Sequence, residues 1–453
     1  MTRKTPPPAR VPQSRLGRLA RLGLAAGELA VGGAVQGLRR ISQGADAGTA
    51  RFSVATARRL ADRLAHLRGA AMKLGQLISL EGEGLLPPEL AQALEGLRSQ
   101  AAPMPAEQLH RALGRAFGAG WERRFTAFDE TPIASASIGQ VHRARTRDGR
   151  DLALKVQYPG VARSIASDVD NVTTLLRLAQ LLPLGLDVDD IAREAKRQLA
   201  QEADYLAEAS FLEQYARLVA DEPQIVLPRV HRDFTTARVM AMDYMAGIPL
   251  DALAAEGART PQKVRDAVGT LLQRLMFREL FEFRVMQTDP NFANYFYQPD
   301  PQPDRGRLVL LDFGATQRFS TAFSERFRDI TRAIVEGDRA DTERAARAIG
   351  YIGDDAPPPV VTAALDVLEL VCEPLRARGV VDYGSSDLPR RARELGIDLG
   401  FRRGLLRMPP SDTLFLHRKL AGVFLLLARL GARVPTRRLV LDALARPAAA
   451  SSG

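Results

Sequence analysis

Four groups of residues in this chain have the types and spacing for chemistry on a nucleotide. Lys155 closes the apolar run Leu152-Ala-Leu-Lys155, and a lysine carried at the end of such a strand can reach nucleotide phosphates. An ammonium used this way needs an anion to hold it. Glu208 is the candidate, on a helical pattern over Gln198–Ser210, with Asp204 four residues earlier as a competing partner on the same face. Glu202 is turned away from Glu208 on that helix, because six residues sweep roughly 240°. Asp289-Pro-Asn-Phe-Ala-Asn294 joins a carboxylate that can orient a nucleophile or accept its proton to an amide that can bind a metal ion. Asp312-Phe-Gly314 follows the apolar strand Leu308-Val-Leu-Leu311, where Asp312 would hold Mg2+ bridging phosphates. Taken singly, each has an ordinary explanation: a solvated lysine, surface acids, a common spacing. Their joint order along the chain is what points to phosphoryl chemistry.

That order is the order of a bilobal, protein-kinase-like α+β fold. The pattern is helical from Phe52 to about Phe117, mixes short strands with helix over 121–245, and is mostly helical from Thr260 onward. Val141–Arg145 and Leu152–Val156 read as strands around the hairpin signal Asp148-Gly149. Val239–Met242 reads as a further strand, with Met242 and Asp243 at its end as candidate nucleotide-binding residues. The expected organisation is a basic membrane-proximal segment 1–50, a helical extension 51–125, an N-lobe 126–245 and a helical C-lobe 246–453. Ala134, Ser135, Ala136, Ser137, Ile138, Gly139 and Gln140 stand where a glycine-rich phosphate loop is expected. Alanine keeps a methyl group where glycine lets backbone amides close on phosphates, so nucleotide pose or preference should differ.

Two absences narrow the chemistry. The run Gln287-Thr288-Asp289 lacks the arginine that couples a catalytic loop to a phosphorylated activation segment. A helical pattern resumes near Thr321, a few residues after Gly314, and no Ala-Pro-Glu follows. A peptide-binding platform is therefore not expected.

The chain has 453 residues and a net charge of +10, and residues 1–70 hold 13 basic and 3 acidic residues, so the entire excess sits there. A nucleic-acid binder carries its basic face on the folded body; a basic N-terminal arm suits an anionic membrane surface. Leu22–Leu38 is too short and too poor in large apolar side chains for a span. Its Gly23-x-x-x-Gly27 and Gly33-x-x-x-Gly37 spacings suit an interfacial helix or a homodimer contact. The Arg-rich, acid-poor start leaves a mitochondrial transit peptide open beside a bacterial inner-membrane, cytoplasmic-face location. One cysteine, Cys372, and five scattered histidines offer no Cys-based framework or metal-ligand spacing. Only six basic residues are lysine, among them Lys73 and Lys155, and scarcity makes each lysine a better functional candidate, since arginine cannot act as a compact ammonium.

The chain resembles the UbiB family of atypical kinase-like proteins of ubiquinone biosynthesis, from about Ala70 to Leu430. The motifs that carry this are Lys73-Leu-Gly75-Gln76, Ala134-Ser-Ala136-Ser-Ile-Gly-Gln140, Lys155-Val-Gln-Tyr-Pro-Gly160, Glu202-Ala-Asp204, Met286-Gln-Thr-Asp289-Pro-Asn-Phe-Ala-Asn294, Leu311-Asp-Phe-Gly-Ala-Thr316 and Leu416-His-Arg-Lys-Leu-Ala-Gly422. The Asp-Pro-Asn form is similar to the mitochondrial-type branch. The resemblance implies that Lys73 and Gln76 lie on a helical extension folded over the nucleotide pocket as a regulatory lid, with Glu202 and Asp204 in the same arrangement. It implies use of ATP or ADP with Mg2+, ATPase activity in support of ubiquinone synthesis, and contact with membranes, with quinone precursors or prenyl lipids, and with other enzymes of that synthesis. A small-molecule or lipid kinase is the alternative, and a non-catalytic nucleotide-sensing scaffold an alternative of another class.

Overall fold

The computed structural model describes residues 69–70, 73–74, 103–178, 188–255, 259–302, 305–396, 398–399 and 413–446. Gln76, the basic segment 1–50 and the stretch Leu22–Leu38 lie outside the described residues. The chain divides into two compact units, one built from residues up to Ala209 plus Arg229–Tyr244, the other from Ser210–Pro228 and Met245 onward.

The first unit is organised by an antiparallel sheet whose strands run in the order Phe125–Phe128, Gly139–Thr146, Asp151–Gln157, Val239–Asp243, with Ala134–Ser135 folded back on Gly139–Thr146. The turn at Asp148-Gly149 follows from glycine, since Gly149 adopts φ +88, a region that costs other residues a Cβ clash. The Thr146 N–H donates to the Arg150 carbonyl at 2.9 Å to close it. Gly139–Thr146 alternates between buried and more exposed positions along its second half, whereas Asp151–Gln157 is buried along almost all its length. The latter is a central strand with both faces covered. Helix Ala106–Phe117 lays Leu109 and Leu113 on this sheet, where they join Trp121, Phe125, Leu152, Leu154, Val156, Phe234 and Val239 in one core. Each large side chain buried there contributes about 1.5–3 kcal/mol.

Helices Val161–Leu178 and Val188–Glu202 pack on each other. The helical pattern expected over Gln198–Ser210 is interrupted: one helix ends at Glu202, Ala203–Asp204 form a turn, and a second runs over Tyr205–Leu218. The reason is capping. Asp204 Oδ1 accepts the Ala207 N–H at 3.0 Å, and an aspartate that satisfies a free N–H at a helix start is worth about 1 kcal/mol. The strand holding Lys155 runs over Asp151–Gln157, one residue beyond the expected Leu152–Val156 at each end, so Lys155 is within the strand and not at its end.

The second unit is mostly helical. Gln262–Arg278 is its central helix and packs against Leu414–Leu430 and Thr436–Ala445. The apolar stretch Leu420–Ala428 lies inside Leu414–Leu430. A small sheet pairs Ile225–Val226 parallel to Arg307–Leu310, followed by antiparallel Tyr295–Gln298 and Ile248–Pro249. A two-stranded ladder joins Val285–Gln287 to Thr316–Arg318. Helix Thr321–Glu336 begins directly after it, capped by Ser320, whose Oγ accepts the Phe323 N–H at 3.1 Å. Only Ala315 to Ser320 therefore separate Gly314 from that helix. Among the described residues no helix is long and apolar enough to cross a membrane.

Candidate active site

In the first unit, Lys155 donates to both carboxylate oxygens of Glu208, at 2.8 and 2.9 Å. Lysine and glutamate are 7% and 2% exposed, and the ammonium also lies 5.3 Å from the centre of the Tyr205 ring. Strand alternation aims Lys155 and helix Tyr205–Leu218 aims Glu208, so the pair is set by tertiary packing. Gly139 is needed beside it for steric reasons: a Cβ there would lie 2.4 Å from the Val156 carbonyl oxygen and 2.8 Å from Tyr205 Oη.

Ala134 to Gln140 form a tight hairpin in which the Ala136 N–H donates to the Gly139 carbonyl at 2.9 Å. Ser137 at its tip donates through Oγ to Glu202 Oε2 at 2.7 Å. Glu202 Oε1 takes the Lys73 ammonium at 2.5 Å. One carboxylate thus joins the hairpin tip to the N-terminal helical segment. That segment comes close because Gly69 has no side chain: a Cβ would stand 3.0 Å from the Ser137 carbonyl oxygen. Leu74 beside Lys73 is fully buried and supplies apolar anchoring.

One expected role is corrected by these contacts. Asp204 does not compete for Lys155; its carboxylate is used as the helix cap described above. Gln140 is fully buried and its amide is committed to structure, accepting the Met104 N–H at 2.9 Å and meeting His142 Nε2 at 2.8 Å. Asp243 accepts the Arg229 N–H at 3.0 Å and contacts His231 Nε2 at 2.7 Å, while its own N–H donates to the Arg229 carbonyl. Met242 is buried in the ladder opposite Ala153. The polar groups of Gln140 and Asp243 thus make hydrogen bonds within the unit.

In the second unit, a 3-10 turn over Phe292–Asn294 is capped by Asn291, whose Oδ1 accepts the Ala293 N–H at 3.1 Å. It places Asn294 Nδ2 on Asp289, 3.0 Å from the carbonyl oxygen and 3.2 Å from Oδ2. Arg418 Nη2 donates to Asp289 Oδ1 at 2.5 Å. The Leu311 N–H donates to the Asn294 carbonyl and the Thr288 N–H to the Ala315 carbonyl, both at 3.0 Å. The segment bearing Asp289 and Asn294 is thereby stitched to the segment bearing Asp312. Phe313 is buried against Tyr215, with ring centres 4.8 Å apart. Asp312 Oδ1 accepts the Gly314 N–H at 2.9 Å.

Beneath this loop is an ion pair to which the sequence motifs assign no role. Glu279 and Lys419 are both buried and 2.9 Å apart. Burial alone would push the Lys419 ammonium down; the Glu279 carboxylate more than offsets this and holds it above the usual lysine range. The available signal was the scarcity of lysine together with the Leu416–Gly422 run.

The donor set suits magnesium and ATP. Asp312 and Asn294 offer hard oxygen ligands, and Mg2+ is ordinarily held by one or two carboxylates together with phosphates and water. Among the described residues there is no cluster of three or more His, Cys, Asp or Glu that could hold a metal ion.

A model of the ABC1 atypical kinase-like domain matches residues 96–346. The chain is 36% identical over 437 residues to the atypical kinase COQ8B, mitochondrial, of Rattus norvegicus, covering 96% of this chain and 81% of that one. It is 32% identical over 440 residues to the atypical kinase COQ8, mitochondrial, of Saccharomyces cerevisiae, covering 96% and 86%. Among solved structures, the Rv3197–erythromycin complex from Mycobacterium tuberculosis superposes with a TM-score of 0.58 at 26% identity, over 82% of this chain and 92% of that one.

Proposed function

This chain belongs to the UbiB family of ABC1-type atypical kinase-like enzymes, which supports ubiquinone biosynthesis, and from that premise we propose that its ATP turnover serves hydrophobic quinone precursors at an anionic membrane surface. The observation that carries this reading is Glu202, which ties Lys73 to Ser137 at 2.5 and 2.7 Å. A lid fastened to the hairpin tip would hinder access of a peptide, and the six residues between Gly314 and Thr321 are too few to build a peptide platform. Both features favour hydrolysis, or transfer to a small acceptor, over phosphorylation of proteins.

In this reading Lys155 meets the phosphates and Glu208 keeps it extended. Asn294 and Asp312 would hold Mg2+, which when bound neutralises charge on the phosphate oxygens. Asp289, oriented by Asn294, aligns the attacking oxygen. Lys73, Gln76 and Glu202 restrain nucleotide exchange, with Ala134 to Gly139 as the roof of the nucleotide. The basic excess of residues 1–70 supplies attraction to anionic lipid, about 1 kcal/mol per basic residue at best. The mitochondrial names of the COQ8 relatives favour a mitochondrial membrane over a bacterial one. Partner enzymes of quinone synthesis would receive the precursor there.

The test is a quinone and precursor profile of cells lacking the protein, restored with wild type or with Asp289→Asn. Accumulated precursor that wild type clears and Asp289→Asn does not is the expected result. A normal profile without the protein, or full restoration by Asp289→Asn, would contradict the reading.

A further inference from the structure

We propose that helix Leu414–Leu430 is the positioning element for the catalytic loop, with Arg418 a positioning residue for Asp289 and Lys419 for the backbone that presents it. The inference concerns the phosphoryl chemistry alone and is independent of which substrate the enzyme serves.

One helix meets the loop at Gln287, Asp289, Pro290 and Phe292. Arg418 donates to Asp289 Oδ1 at 2.5 Å with a side chain only 7% exposed. Lys419 donates to the Gln287 carbonyl at 2.7 Å. Gly422 allows the approach to Pro290, because a Cβ there would fall 2.0 Å from Pro290 Cγ. The Arg429 guanidinium lies 4.5 Å from the centre of the Phe292 ring. Positions 418, 422 and 429 are spaced by four and seven residues, one and two helical turns, so they line one stripe of the helix.

The Glu279–Lys419 pair gives this stripe a rigid footing. Glu279 Oε1 accepts the Gln287 N–H at 2.9 Å and the Tyr215 hydroxyl at 2.8 Å. Both backbone hydrogen-bonding groups of Gln287 are therefore held by one buried ion pair, two residues before Asp289. A residue held at N–H and C=O by buried charges has little freedom to rotate, and the next peptide is fixed by Thr288, whose N–H and hydroxyl both donate to the Ala315 carbonyl.

This chain has reason to need such a template. The Gln287-Thr288-Asp289 run lacks an arginine, and the link from Gly314 to Thr321 is too short for an activation segment to organise the loop. Arg418 brings a guanidinium to the loop from 129 residues away in the chain. With Arg418 on Oδ1 and Asn294 on Oδ2, the Asp289 carboxylate has one fixed orientation. Loss of such alignment affects the chemical step more than ground-state binding.

The test is steady-state ATP hydrolysis and calorimetric ATP binding by the full-length protein with Mg2+, comparing wild type, Arg418→Gln, Arg418→Lys and Gly422→Ala. Arg418→Gln should lower kcat by about 10- to 100-fold while ATP affinity stays within about 3-fold. Arg418→Lys should restore part of kcat, since an ammonium keeps the charge but not the planar fork. Gly422→Ala should lower kcat in the same way by displacing Pro290, which keeps the proposal testable where Arg418→Gln fails to fold. On an Asp289→Asn background, Arg418→Gln should add little, as expected for residues acting through one another. Unchanged kcat in Arg418→Gln and Gly422→Ala would overturn the proposal. So would a parallel fall of kcat and ATP affinity that Arg418→Lys does not relieve.

Discussion

Glu202 in the first unit and Glu279 in the second each hold a buried lysine, but in different surroundings. Glu202 divides its oxygens between Lys73 and Ser137 and keeps 15% of its side chain exposed. Glu279 is fully enclosed by Lys419, Tyr215 and the Gln287 N–H. Water can replace a partner of the first carboxylate; nothing can replace a partner of the second without leaving a charge stranded. The first arrangement can exchange a partner with solvent. The second is a brace. Lys155 stands between them in character, closed on Glu208 yet carried on a buried strand.

The largest effect should come from cutting the brace. Lys419→Met leaves Glu279 buried and uncompensated, which costs about 3–5 kcal/mol. Urea unfolding read by tryptophan and far-UV signals should show it, and a loss no larger than that of Lys73→Met would erase the distinction between the two carboxylates.

A second difference appears on acidification. His417, in the same helix as Arg418 and Lys419, is half-buried with Tyr351 Oη 2.6 Å from Nε2, and desolvation pushes its imidazole down to about 4. A folded-state value below the unfolded value of about 6.5 means the unfolded chain binds the proton more readily. This contribution to stability is complete above pH 6.5 and is lost as pH falls toward 4, for a total of about 3 kcal/mol. In the first unit, hydrogen bonds from Arg150 and Thr146 hold Asp148 down at about 2, so its share survives until far lower pH. Stability measured against pH should therefore fall from 6.5 to 4 in wild type and be flatter in His417→Gln. Equal slopes in the two proteins would remove His417 from the account.

The smallest stability effect belongs to the lid. Lys73→Ala should cost about 1 kcal/mol or less in stability, because Glu202 keeps Ser137 and partial solvent, yet shift ATP and ADP affinity several-fold. Ser137→Ala should shift affinity in the same direction. Unchanged nucleotide affinity in both variants would make the Lys73–Glu202–Ser137 contact purely structural.

Local signals were readable from the sequence and non-local ones were not. The hairpin at Asp148-Gly149 is written in a turn dipeptide between two alternating runs. The helix start at Thr321 follows a serine cap. The pairing of Lys155 with Glu208 spans 53 residues and was legible only through the order of motifs, since no periodicity reports it. The break at Ala203–Asp204 was missed because no proline or glycine marks it; the cap that Asp204 makes wins over a continuous helical pattern. Gln140 and Asp243 look available in a sequence because their consumers, Met104, His142, Arg229 and His231, are brought to them by the sheet. Glu279 and Lys419 lie 140 positions apart, and burial of such a pair has no signature except the rarity of lysine in this chain.

The most direct test of the central claim is phosphate release from Mg2+-ATP by the purified full-length protein and by its Asp312→Asn variant. Loss of the carboxylate placed to hold the metal should lower the rate by at least about 10²-fold, with the fold intact by circular dichroism. Undiminished phosphate release by Asp312→Asn would contradict the account.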